Sequence, residues 1–102
     1  MQATVIQESG QVIIKLQGRF DFNTHREFRA AYEPLLSDVS VIALSVDFRD
    51  VVYLDSSALG MLLMLRERFA AQGVQVALIG VQGNVKQVLD IPNFSKLFQI
   101  QN

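Results

Sequence analysis

The sequence predicts one α/β domain: a mixed sheet of four to five strands with helices, in the order β-β-α-β-α-β-α-β. Three observations carry that prediction. Short β-branched runs alternate with helical patterns at roughly 25 to 30 residues per αβ repeat, the spacing of crossover units. The run 39–48 (Val-Ser-Val-Ile-Ala-Leu-Ser-Val-Asp-Phe) is nearly all apolar, as a strand covered on both faces is. Hydrophobic residues make up 50% of the 102 positions, enough for a single core in one domain spanning 1–102.

The elements follow in order. Residues 3–8 and 11–17 are β-branched runs separated by Ser9-Gly10, a hairpin signal. Gly18-Arg19-Phe20-Asp21 closes the second strand. A helix opens at Asn23 or Thr24, where Thr24 and Glu27 have capping-box spacing and Phe28, Ala31, Tyr32 and Leu35 share a face. Pro34 loosens its last turn, since proline has no N–H to donate. The apolar run 39–48 is the expected central strand, and residues 49–53 its connection to the next element. A helix then covers about residues 57–71 and stops at Gln72-Gly73, with Ala58, Leu62, Leu65 and Phe69 as its core stripe. Residues 74–79 are a strand ended by Gly80; Gly83-Asn84 opens a short helix over 85–90, stopped by Pro92; and 94–100 supply a last turn and an edge strand.

Composition removes several function classes. The net charge is −1 with both signs interspersed, so no basic face suits nucleic acid. There is no cysteine, hence neither disulfide nor thiol chemistry. The longest apolar run, 58–65, is too short to insert in a membrane, and the N-terminus lacks a signal-peptide pattern, so a soluble cytoplasmic chain is expected. No ligand cluster for a metal and no phosphate-cradling glycine loop occurs, so neither metal nor cofactor is expected. Mean hydropathy is high at +0.26, which asks either for a sheet covered on both faces or for apolar surface that meets a partner.

What remains is Asp55-Ser56-Ser57-Ala58-Leu59-Gly60, at the handover from strand to helix. Its hydroxyls could cap the helix, attack a substrate or accept a modification. Hydrolysis fares poorly: His25, the one histidine, sits in another helix start, and the G-x-S-x-G elbow is missing, so no residue is assigned a catalytic role. Capping by Asp55 or Ser56 stabilises a helix by about 1 kcal/mol. Capping leaves Gly60 unexplained, since glycine within a helix costs about 1 kcal/mol relative to alanine. Its missing side chain flattens a surface beside Met61 and Met64, which suit either an adaptable docking face or core packing.

These residues carry a resemblance. Asp55-Ser56-Ser57-Ala58-Leu59-Gly60, preceded by Tyr53-Leu54, resembles the signature loop of STAS-domain anti-sigma factor antagonists. Gly18-Arg19-Phe20-Asp21 is similar to that family's Gly-x-(Leu/Phe)-Asp turn, and 84–90 with Phe94 and Leu97-Phe98 to its third helix and closing segment. Ala58 stands where many members have glycine, and a C-terminal helix present in many relatives is expected to be missing. The resemblance implies a bacterial partner-switching regulator of transcription rather than a catalyst. By position, Ser56 is the residue phosphorylated by a partner that is both serine kinase and anti-sigma factor, with Ser57 the rival acceptor. Unphosphorylated, the chain would bind that partner and release a sigma factor; a PP2C-type phosphatase would reset the cycle. Asp21, Asp55, Ser56, Ser57, Gly60, Met61 and Met64 are the expected partner-binding residues, and the free chain is expected to be a monomer. The alternative is a constitutive STAS scaffold or subunit of a signalling or lipid-transport complex, in which Ser56 only caps.

Overall fold

The computed structural model describes residues 1–90 and 94–101, so the role expected of Pro92 lies outside the described residues. Among the described residues, five strands line up in chain order as β1-β2-β3-β4-β5, with β3 in the middle as expected. They are β1 (Gln2–Glu8), β2 (Gln11–Phe20), β3 (Ala43–Leu54), β4 (Gln75–Ile79) and β5 (Gln99–Ile100). Only β1 runs antiparallel to its neighbour; the other pairs are parallel. The helices are α1 (His25–Tyr32), α2 (Ser56–Ala70), α3 (Gly83–Leu89) and the single turn α4 (Phe94–Leu97).

The β1–β2 hairpin turns on Ser9 and Gly10, both at positive φ (53° and 82°), as a two-residue turn matched to strand twist requires. Gly10 is also a close approach: a Cβ there would lie 2.7 Å from the Ser40 carbonyl oxygen. Its own carbonyl accepts hydrogen bonds from the N–H groups of Ile42 and Ala43 (2.8 and 3.3 Å).

That contact explains a correction. Residues 39–42 were expected in the central strand, yet they form the approach to it, with Val39 fully exposed and Ile42 anchored on the hairpin turn. Conversely, residues 49–53, expected as a connection, belong to β3. The charged Arg49 and Asp50 interrupt the apolar pattern but stand exposed on a strand that still pairs with β2. Two register shifts occur there: Lys15 opposes Asp47 and Gln17 opposes Asp50, then Gly18 opposes Val51 and Arg19 opposes Tyr53. Each leaves an extra residue on β3, and such bulges re-aim side chains. At the first, the buried Asp47 accepts a hydrogen bond from the Arg49 N–H at 2.9 Å. At the second, the extra residue is Val52, which is 69% exposed.

A second correction concerns the first helix. The capping box is Asp21 with Thr24 rather than Thr24 with Glu27, and it closes a 3-10 turn, Phe22–Thr24, ahead of α1. Asp21 Oδ1 accepts from the Asn23 N–H (3.0 Å), while the Thr24 hydroxyl accepts from the Asp21 N–H (3.0 Å) and donates to its carbonyl (2.8 Å). Thr24, buried at the turn, is already used and offers nothing to α1. After α1 the backbone tightens into a second 3-10 turn, Glu33–Ser37, which contains Pro34 as anticipated.

Packing follows the alternation. On β2, Val12, Ile14 and Leu16 point into the core; on β3, Leu44, Val46 and Phe48 do the same. Against this face lie α1 through Phe28 and Tyr32, and α2 through the expected stripe Ala58, Leu62, Leu65 and Phe69 plus Leu59. Phe20 packs on Phe28 (centroids 4.8 Å apart), and Tyr32 meets Phe69 edge-on at 6.3 Å, which joins the helices over the sheet. No helix among the described residues is long and apolar enough to cross a membrane.

Candidate functional site

The end of β2 and the end of β3 come together where Phe20 pairs with Leu54. Both of those side chains are buried, so the chain on either side is held from below. The next residues turn away from the sheet in parallel: Asp21 into its capped 3-10 turn, Asp55 into the start of α2. The Asp55 N–H donates to the Phe20 carbonyl (3.3 Å), which ties the two turns together.

Asp55 is the N-cap of α2, with the extended backbone that position adopts (φ −108°, ψ 179°). Its Oδ1 accepts from the Ala58 N–H at 3.2 Å and from the Ser57 hydroxyl at 2.6 Å. The Ser57 hydroxyl, foremost, with the N–H groups of Ala58, Ser57 and Phe22, holds the Asp55 carboxyl below the usual carboxylate range, against the opposing effect of burial. The cap therefore remains ionised through the neutral range.

The two serines separate at this point. Ser57 is half-buried with its hydroxyl committed to Asp55. Ser56 is exposed on the first turn of α2, and among the described residues no side-chain hydrogen bond engages it. Four and eight residues further on, Gly60 and Met64 continue the same exposed row. A Cβ on Gly60 would meet nothing within 4 Å, so no internal neighbour requires glycine there. Met64 is 54% exposed, whereas Met61 is half-buried against the core. The structure thus brings Asp21, Asp55, Ser56 and Ser57 together at one end of the sheet, with Gly60 and Met64 leading away along α2 and Met61 turned inward.

His25 lies on the Asp21 side of the site, exposed, with its Nδ1 3.0 Å from the Phe22 carbonyl oxygen. Sequence reasoning passed over four neighbours. Arg19 spreads over the Tyr53 ring (4.1 Å to the centroid), with its Nε 3.4 Å from Asp21 Oδ2. Phe22, 68% exposed, follows Asp21 directly, and Val52 stands out at the second bulge. A signal for Phe22 existed in the Asp-x-x-Thr spacing of Asp21 and Thr24, which ends the strand before it.

Comparison with known proteins fits this geometry. A family model described as the STAS domain matches residues 2–102. A STAS-domain containing protein of Pseudomonas aeruginosa (strain UCBPP-PA14) is 43% identical over 90 residues, covering 88% of this chain and 87% of that one. The structure of an anti-sigma factor antagonist from Mycobacterium paratuberculosis has a TM-score of 0.80 at 16% identity, covering 98% of this chain and 84% of that one. The Bacillus cell fate determinant SpoIIAA in its phosphorylated form gives a TM-score of 0.75 at 17% identity, covering 98% and 91%. These two likenesses are of fold, and they match the expected mixed α/β sheet.

Proposed function

The chain belongs to the STAS-domain family, and we propose that it works there as an anti-sigma factor antagonist switched by phosphorylation of Ser56. The observation that carries this reading is the division of labour between the serines. Ser57 is consumed by the Asp55 cap, and Ser56 stands beside it exposed on the helix start. The fold likeness to proteins described as anti-sigma factor antagonists points the same way.

In this reading the unphosphorylated chain docks a partner that is both serine kinase and anti-sigma factor, and so frees a sigma factor. The contact surface is Asp21, Asp55, Ser56, Ser57, Gly60 and Met64, with Met61 supporting from beneath. The kinase transfers the γ-phosphoryl of ATP to Ser56 Oγ, and a PP2C-type phosphatase hydrolyses it off. A phosphate there adds about −1.5 to −2 charge. At the start of α2 the fold accommodates it, because the positive end of the helix dipole favours an anion. The complex does not. Beside the ionised Asp55, a dianion must be desolvated against the docked partner. A penalty of about 3 kcal/mol weakens binding more than a hundredfold.

The test is a pull-down from cells with wild-type, Ser56→Ala and Ser56→Asp baits. The expected result is strong recovery of a kinase-like partner by the first two and loss by the third. Equal recovery by all three would sink the switch and leave a constitutive scaffold.

A further inference from the structure

We infer that Phe22 is a recognition residue of the Ser56 site: an aromatic anchor that the kinase and anti-sigma partner buries when it engages that serine. The inference rests on the reading above and adds a residue that neither the signature loop nor its spacing includes. Two independent observations carry it. The first is exposure without a folding role. Phe22 lies 68% open, whereas the aromatic residues on either side of it, Phe20 and Phe28, are fully buried. A ring left in water contributes little to folding, and aromatic rings are enriched where protein surfaces meet.

The second is rigidity in place. The 3-10 turn that begins at Phe22 is locked by the reciprocal Asp21–Thr24 cap. The Phe22 carbonyl is engaged by His25 Nδ1 at 3.0 Å, and the two rings lie 5.8 Å apart. Two residues before Phe22, the Phe20 carbonyl accepts from the N–H of Asp55 at 3.3 Å, which ties this turn to the residue that precedes Ser56. A partner reaching Ser56 therefore meets a ring whose backbone is already ordered, so association loses little conformational freedom at that point. The matching chemistry on the partner is an apolar pocket able to take a phenyl ring, beside the cleft that presents ATP to Ser56.

The test uses the full chain and the serine kinase recovered by the wild-type bait, purified and supplied with ATP and Mg²⁺. Phe22→Ala is expected to raise the KM for the chain, and the Kd of the complex, by about tenfold or more with kcat little changed. Phe22→Tyr should restore most of the affinity. Val39→Ala, which removes a fully exposed side chain ahead of β3 at the far end from Ser56, should behave as wild type. An unchanged melting temperature for Phe22→Ala would exclude misfolding as the cause. Equal KM and Kd for wild type and Phe22→Ala would overturn the role of Phe22 while leaving the Ser56 switch intact. Recovery of no kinase, with no phosphate on Ser56, would overturn both.

Discussion

Asp55 caps α2 through the Ala58 N–H and at the same time accepts a hydrogen bond from the Ser57 hydroxyl, 2.6 Å away. The second bond does more than fill a lone pair. It is the foremost reason the carboxyl stays charged below its ordinary value of 3.8. A folded-state pKa depressed in this way contributes stability that is present above the unfolded value and lost as pH falls through the folded one. Ser57→Ala should therefore raise the Asp55 pKa toward the ordinary value, so that the acid weakening of the α2 cap begins at higher pH. It should also cost about 1 kcal/mol at neutral pH. A carbon-detected NMR titration of the Asp55 carboxyl reads the first effect and a denaturant melt the second. Phosphate incorporation by the partner should persist in this variant; its loss would make Ser57 the acceptor. In the sequence the two serines are alike in type, and Ser56 was preferred only by its position in the signature loop. What separates them is helical geometry, which turns the Ser57 hydroxyl back onto the Asp55 carboxylate and leaves Ser56 facing outward.

Along α2 the exposed row Ser56, Gly60, Met64 runs opposite the buried stripe Ala58, Leu62, Leu65, Phe69. That stripe was legible from the 3.6-residue period, and the hairpin and the chain order of the elements from β-branched runs and turn residues. The inward turn of Met61 was not, since methionine suits either environment. The limits of β3 were misread for a different reason. Periodicity reports burial, while strand membership depends on backbone pairing: Asp50 pairs with β2 while standing in solvent, and the exposed Arg49 lies in the bulge before it. Phe22 escaped notice because it falls between the Gly18–Asp21 segment that closes β2 and the helix expected from Asn23 or Thr24, and only the Asp21 cap gives it a defined turn. Gly60 gives the sharpest test at this scale. Its Cβ would meet open space, so Gly60→Ala should stabilise the chain by about 0.5–1 kcal/mol through helix propensity alone. The same methyl group roughens the docking face and should weaken partner recovery in the pull-down. A thermal melt and the bait assay must move in opposite directions. If binding holds while the melting temperature rises, the glycine serves something other than the partner.

Across the molecule, the residues of the proposed switch and the folding residues occupy different regions. The large side chains that fix the domain, Phe20, Phe28, Phe48, Phe69 and the leucines around them, are buried between the sheet and its helices. Ser56, Gly60, Met64 and Phe22 lie outside that core, exposed at the ends of β2 and β3 and along α2. A switch built on this plan can change its charge without loosening its scaffold. A phosphate on Ser56 disturbs no buried contact, and what it adds near Asp55 in repulsion is offset at the helix start by the dipole, each effect on the order of 1 kcal/mol or less when exposed. For a domain of this size a net change of that order moves the melting temperature by only a few degrees, about 4–8 °C per kcal/mol. The phosphoprotein made with the partner kinase should thus melt within about 8 °C of the unmodified chain while losing at least a hundredfold in affinity. Calorimetric melts of both forms, alongside titration of the partner, check the two halves together. A phosphoprotein that unfolds much more readily would mean that binding is lost because the domain is lost, and the separation of core from switch would have to be abandoned.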